Sequence, residues 1–249
     1  MKRSLAALSL LSCLLLSAAE NMGRFDGDSS CWLIDGGNYT CRFFEGNMFP
    51  RDFVLEGAGM MPRTSFGDNL VTPADKKEWR LDLDRWTKMK ILADTPEEFS
   101  VEFEGRFCRD ARPKLEVLEE VTAVYRYTFR RNRPGFRVEA VLRGKKGAEY
   151  RVNQTLYLSW REVFVDKVTL PGKGEAPVVP DKYHDIQRGE ITFSGPRFSV
   201  TARARRVIGR VSPAAWRGKV LLNAGLWGFD WDGREIVCAA EFEFSGKGK

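Results

Sequence analysis

From residue 99 onward, apolar and polar side chains alternate one for one in run after run, a period that suits an extended chain and not a helix. Phe99, Val101, Phe103 and Phe107 fall on one face, with Ser100, Glu102, Glu104 and Arg106 on the other. Val121, Ala123, Tyr125, Tyr127 and Phe129 repeat the scheme against Thr122, Arg126, Thr128 and Arg130, with Val124 the exception. A turn at Asn132-Arg133-Pro134-Gly135 leads to Phe136, Val138, Ala140 and Leu142, and residues 150–160 read as the next strand. Ile236, Cys238, Ala240, Phe242 and Phe244 close the chain in the same way, opposed by Glu235, Glu241 and Glu243. Strands that bury one face and wet the other build antiparallel sheets. Turn clusters at Pro171-Gly172-Lys173-Gly174, Ser194-Gly195-Pro196 and Asp232-Gly233 punctuate the runs. Helical signal is thin: Leu81 and Leu83 alternate with Asp82 and Asp84, and residues 113–120 fit either period. The predicted fold is all-β, an antiparallel β-sandwich with little helix. Residues 20–249 form one domain, because no interior stretch is long and Gly-, Ser- or Pro-rich enough to be a linker.

The first nineteen residues are of another kind. Lys2 and Arg3 precede an apolar run from Leu5 to Leu16, and Ser17-Ala18-Ala19 fits a small-x-small cleavage site. The expectation is a secretory leader removed before Glu20, giving a secreted, periplasmic or extracellular protein. The alternative is a retained N-terminal anchor. The run is short for a bilayer, and no later stretch approaches a membrane span. Without the leader, 38 Lys and Arg face 34 Asp and Glu, a net charge of +4. Seventeen Phe, 7 Trp and 6 Tyr carry too much apolar bulk for a disordered chain. An outer-membrane barrel also combines a leader with alternation, but here the outward faces carry Arg and Glu. Four cysteines remain after cleavage, which permits two disulfides. Cys31 and Cys41 flank Asp35-Gly36-Gly37-Asn38, where a three-residue loop centred on Gly36 would set them opposite each other. Cys108 and Cys238 are left to pair, or Cys238 is a small buried thiol.

Two segments resemble the galactose mutarotase-like β-supersandwich. Trp32-Leu33-Ile34-Asp35-Gly36-Gly37-Asn38-Tyr39-Thr40-Cys41-Arg42-Phe43, followed by Phe53-Val54-Leu55-Glu56-Gly57, is similar to its opening hairpin and third strand. The run from Val121 through Trp160 is similar to its long paired strands. The resemblance rests on strand rhythm over about half of the mature chain. It implies a broad, twisted sandwich whose concave face meets carbohydrate, in a superfamily of sugar epimerases, domains of lyases and glycosidases, and binding modules without catalysis. Its epimerases use several histidines with a carboxylate base. This chain has a single histidine, His184, which argues against that chemistry.

The residues themselves offer three candidate groups. His184 lies in Asp181-Lys182-Tyr183-His184-Asp185, read as a loop after Pro177 and Pro180, where Tyr183 or His184 could abstract a sugar proton in a lyase or epimerase. Trp227, Asp230, Trp231 and Asp232 supply apolar faces for sugar rings and carboxylates for their hydroxyls, unless the tryptophans are core. Trp79 and Trp86, near Asp82, Asp84 and Arg85, are a lesser group of the same type. Arginine clusters at Arg203, Arg205, Arg206 and Arg210, and at Arg126, Arg130, Arg131 and Arg133, suit an acidic polysaccharide. Export and interspersed Glu argue against nucleic acid. One histidine and four cysteines at no ligand spacing give no metal site, and no cofactor is expected. The reading is a secreted β-sandwich that binds or helps process carbohydrate without catalysis. Its rivals are a Tyr183/His184 lyase or epimerase and a cell-surface structural protein.

Overall fold

The computed structural model describes residues 20–60, 65–66, 68–72, 76–85, 87–161, 165–211 and 218–247; the segment expected to be a leader, residues 1–19, lies outside them. The first described strands form a meander of neighbours: β1 (Gly23–Asp26), β2 (Cys31–Asp35), β3 (Tyr39–Phe44), β4 (Arg51–Leu55) and β5 (Gly59–Met60) pair in sequence order to make a five-stranded antiparallel sheet. Next come β6 (Ser65–Phe66), β7 (Asn69–Thr72), β8 (Lys77–Arg80), a 3-10 turn at Leu81–Leu83, β9 (Lys88–Asp94), β10 (Glu98–Ala111), β11 (Lys114–Arg130) and β12 (Arg133–Arg143). After these the strands shorten: β13 (Tyr150–Gln154), β14 (Tyr157–Arg161), β15 (Lys167–Leu170), β16 (Gly174–Pro177), β17 (Tyr183–Ile186) and β18 (Gly189–Ser194). The chain finishes with β19 (Phe198–Ala204), β20 (Val207–Val211), β21 (Lys219–Asn223), β22 (Trp227–Trp231) and β23 (Ile236–Gly246). A large antiparallel sheet runs β16-β15-β18-β19-β23-β12-β11-β10-β8-β7-β13-β22, with β9 also on β10, and a third sheet runs β17-β20-β21-β14-β6. The all-β antiparallel sandwich expected from the alternation is the fold.

The alternation works as predicted because the inward set of each long strand is apolar, much of it aromatic or β-branched, and closes on a facing sheet. Phe99, Val101 and Phe103 of β10, Tyr125, Tyr127 and Phe129 of β11, and Phe136 and Val138 of β12 are all buried in one continuous core. Phe136 is its hub. Its ring lies 5.3–6.0 Å, centroid to centroid, from Phe53, Tyr127, Phe129, Phe242 and Phe244, so that it ties β4 of the first sheet to the large one. Trp160 on β14 meets Phe193 on β18 edge-on and joins the third sheet to the same core. The two hairpin tips also clasp: Asn132 N–H donates to Gly36 O at 2.7 Å, and Asn38 Nδ2 donates to Asn132 O at 3.4 Å.

Three local expectations are corrected. Residues 150–160 are two strands in different sheets, broken at Leu156, whose φ of 52° lies in the left-handed region, outside the extended range. The break places buried Asp68 beneath it: one carboxylate oxygen accepts the Leu156 N–H at 3.3 Å, while the other finds no hydrogen-bond partner among the described residues. Burial pushes the Asp68 carboxyl well above its ordinary value, against the backbone donors of Leu156 and Tyr157. Second, the turn after β11 falls two residues early. Arg130 pairs with Arg133, so the loop is Arg131–Asn132, with Asn132 at φ 58°, and Arg133, Pro134 and Gly135 belong to β12.

Third, the four cysteines among the described residues, Cys31, Cys41, Cys108 and Cys238, are free. The β2–β3 turn is the two residues Gly37 and Asn38, with Gly37 at φ 81°. That register sets Cys31 opposite Phe44 and Cys41 opposite Ile34, so Cys31 and Cys41 are not opposed. Cys108 on β10 and Cys238 on β23 are separated by β11 and β12, three strand spacings of about 4.8 Å. Burial raises the Cys41 thiol well above its ordinary range and pushes Cys108 and Cys238 up to about 11. Peptide mapping without reductant is expected to recover all four as free thiols; a Cys31–Cys41 bridge there would contradict this register.

Candidate functional site

The residues that alternate with the core cover the outward face of the large sheet, and the strand registers align them into rows. One row crosses six strands: Ser100, Thr128, Arg137, Glu241, Arg203 and Glu190. At about 4.8 Å per strand it is about 24 Å long. The neighbouring row holds Glu102, Arg126, Glu139 and Ala239. Arginine and glutamate therefore face each other across strands, and they pair. Arg126 bonds Glu102 at 2.7 Å and Glu139 at 3.1 Å, Arg203 bonds Glu190 at 2.6 Å and Glu243 at 2.5 Å, and Arg130 lies 3.7 Å from Glu98. Exposed pairs of this kind contribute little stability, but they hold long side chains upright.

Two adjoining grooves open between these side chains, of about 430 Å³ and about 490 Å³. They share Arg137 and Glu241 as a common wall. Small residues line both: Gly135 the first, Ala204, Ala239 and Gly189 the second. Gly135 is required there twice over. Its φ is +136°, and a Cβ would stand 2.1 Å from the Phe242 carbonyl oxygen.

Of the three groups singled out from sequence, the aromatic and acidic one stands apart, while the Tyr183–Asp185 segment touches two of the arginines, Arg210 over the Tyr183 ring and Arg206 on Asp185. Trp227, Asp230, Trp231 and Asp232 belong to β22 and the turn after it, at one end of the large sheet, whereas Arg203 is on β19 toward the other end. Glu241, the cross-strand partner of Arg203, lies five residues along β23 from Ile236, about 17 Å away from that turn. Trp231 is core: its ring packs 5.0 Å from Tyr150 and its indole N–H donates to Arg234 O. Asp230 pairs with Arg151 at 2.7 Å. Asp232 is held below the usual carboxylate range, first by the Arg234 backbone N–H and then by its guanidinium, so it fastens the β22–β23 turn. Phe229, 43% exposed, is the aromatic of this segment that faces water most openly. Trp86 lies outside the described residues, and Trp79 is buried with Arg109 over its ring.

Tyr183 and His184 are not in a loop. They open β17, where His184 pairs with Gly209 of β20. Neighbours on a strand face opposite ways. Tyr183 is 49% exposed with the Arg210 guanidinium 4.3 Å from its ring centroid, while His184 is buried at 8% with no hydrogen-bond partner for Nε2 among the described residues. Burial, with Lys182 and Lys173 nearby, lowers the His184 value, so the imidazole is neutral at pH 7. The two side chains cannot work on one substrate from one side.

Of the arginines, Arg203 is neutralised by its two glutamates, and Arg205 is exposed in the bend after β19. Arg206 is bound twice by Asp185. Arg131 holds backbone, donating to Pro96 O and to Glu20 O at 2.9 Å. Glu241 was visible in sequence only as a member of an alternating run, Arg137 was not singled out, and Gly135 was read as part of a turn; the signal that finds them is the outward parity of β12 and β23.

This face and its core define an antiparallel β-sandwich. The chain superposes on the GH36 α-galactosidase AgaB from Geobacillus stearothermophilus at a TM-score of 0.59 and 9% identity, over 91% of this chain and 41% of that one. An α-galactosidase from Lactobacillus brevis gives 0.58 at 10% identity, over 90% and 40%. A glycosyl hydrolase family 38 protein from Enterococcus faecalis gives 0.57 at 10%, over 88% and 30%. The chain thus spans between 30% and 41% of each of these three structures, and at such identities the likeness is one of fold. No family model matches the sequence, and no curated protein matches it.

Proposed function

We propose that this chain is a carbohydrate-binding β-sandwich that acts without catalysis, one domain over residues 20–249, exported by its leader. The observation that carries the reading is the pair of grooves on the large sheet's outward face, lined by Gly135, Ala204, Ala239 and Gly189 and walled by upright Arg and Glu side chains. Hydroxyl-rich ligands are recognised by such preset donors and acceptors, and a shallow floor without bulky side chains admits a chain of rings. The fold it shares with proteins named as α-galactosidases supports the same reading. Opposed Tyr183 and His184, one of them buried, favour binding over a lyase or epimerase step.

A glycan array probed with the secreted protein is the direct test. Binding to at least one polysaccharide is expected, and it weakens when Ala239→Trp fills the floor of the second groove. No binding to any neutral or acidic glycan overturns the reading. The mass of the exported protein is expected to place its first residue at Glu20.

A further inference from the structure

The first groove contains a notch whose charge is not balanced from within. On β12 the outward positions are Arg133, Gly135 and Arg137, so glycine leaves a gap between two arginines four residues apart, about 13 Å along the strand. Thr128 and Arg130 of β11 border the gap on one side, and Glu241 and Glu243 of β23 on the other. Two of these five charges are already engaged, Arg130 by Glu98 and Glu243 by Arg203. Arg133 and Arg137 have no ion-pair partner among the described residues, and only Glu241, itself unpaired, offsets them. Every other arginine named in these rows is locked to a carboxylate. Arg137 is the one whose guanidinium fork stands in the wall shared by both grooves.

We infer that the Gly135 notch is an oxyanion subsite, in which Arg137, helped by Arg133 and the Thr128 hydroxyl, receives a uronate carboxylate or a sulfate ester borne on a carbohydrate chain. This rests on the carbohydrate reading above and names the chemical class of its ligand. A guanidinium fork matches the two oxygens of such a group, and an Arg with no internal carboxylate to release gains the whole charge-assisted pair on binding. Gly135 supplies the room, and the locked ion pairs around it keep competing arginines out.

The test is calorimetry on four polymers: polygalacturonate, its fully methyl-esterified form, dextran sulfate and dextran. Arg137→Ala is compared with Arg143→Ala, which removes the same charge from the same face but lies outside both grooves. The expected result is a preference for at least one charged polymer over its neutral counterpart. Arg137→Ala then weakens that binding about tenfold or more, Arg143→Ala changes it less than twofold, and Arg137→Lys falls between. Preference between the two charged polymers tells carboxylate from sulfate. Equal binding to charged and neutral forms overturns the oxyanion subsite and leaves the carbohydrate reading standing. Equal losses in the two alanine variants also overturn it, since net charge alone then accounts for the affinity. Binding to none of the four overturns the subsite, and the array decides the wider reading separately.

Discussion

Phe136→Ala is expected to lower stability by about 3–5 kcal/mol, the range for removing a buried aromatic ring from a packed core. The ring touches five other aromatic rings from three strands, β4, β11 and β23, and those neighbours come from two sheets. Partners anchored in different sheets cannot collapse together into the space, so the loss belongs at the upper end of that range. For a chain of this length it corresponds to a melting point lower by roughly 10 °C or more. Urea unfolding of the two proteins measures it. A loss under 1 kcal/mol would mean that the first sheet does not pack on the large one as described.

Asp68→Asn is expected to stabilise the protein at pH 7.5 by an amount on the order of 1–3 kcal/mol. Burial raises the folded value of Asp68 above its unfolded value near 4, so the folded chain holds this proton more tightly. The resulting stability is full below pH 4 and is lost as pH climbs toward the folded value. Asparagine keeps an acceptor for the Leu156 N–H and has no charge to bury. Asp82 adds a like charge nearby, while Tyr127 and Cys238, which also feel Asp68, stay neutral across this range. His184 contributes with opposite sign, its lowered value giving stability that fades as pH falls, but it is common to both proteins and cancels in the difference. Unfolding free energies at pH 4.5 and 7.5 should converge at the lower pH and separate at the higher. Parallel curves would show that Asp68 is not buried as a carboxyl in the folded state.

The sheets were legible because their cause is local. Inward aromatic and outward charged residues at period two report burial directly, and β10, β11, β12 and β23 lie where that rhythm places them. What failed was decided at a distance. Asn132-Arg133-Pro134-Gly135 has the composition of a turn, yet the loop closes at Arg131–Asn132, where Asn132 N–H reaches Gly36 of another hairpin. Pro134 and Gly135 then serve inside a strand, and Gly135 is what opens the notch. The break at Leu156 likewise depends on Asp68, 88 residues away in sequence. The disulfide expectation turned on a single loop length, three residues against two. The aromatic cluster at residues 227–231 has a composition suited to sugar, but Trp231 is claimed by Tyr150. Which arginine lacks a partner is a property of cross-strand register, and composition carries no trace of it.

The pairing of Arg with Glu across the outward face also governs how quickly anything arrives there. Opposite charges a few ångströms apart cancel within a Debye length of about 8 Å, so the face projects little field into solution. A polyanion is not drawn in from afar, and encounter proceeds at the ordinary rate of about 10⁵–10⁷ M⁻¹s⁻¹. In the proposed subsite, discrimination then resides in dwell time: a strand of sugar that lands out of register would meet only satisfied ion pairs and depart, while one whose acid group found the gap in β12 would stay.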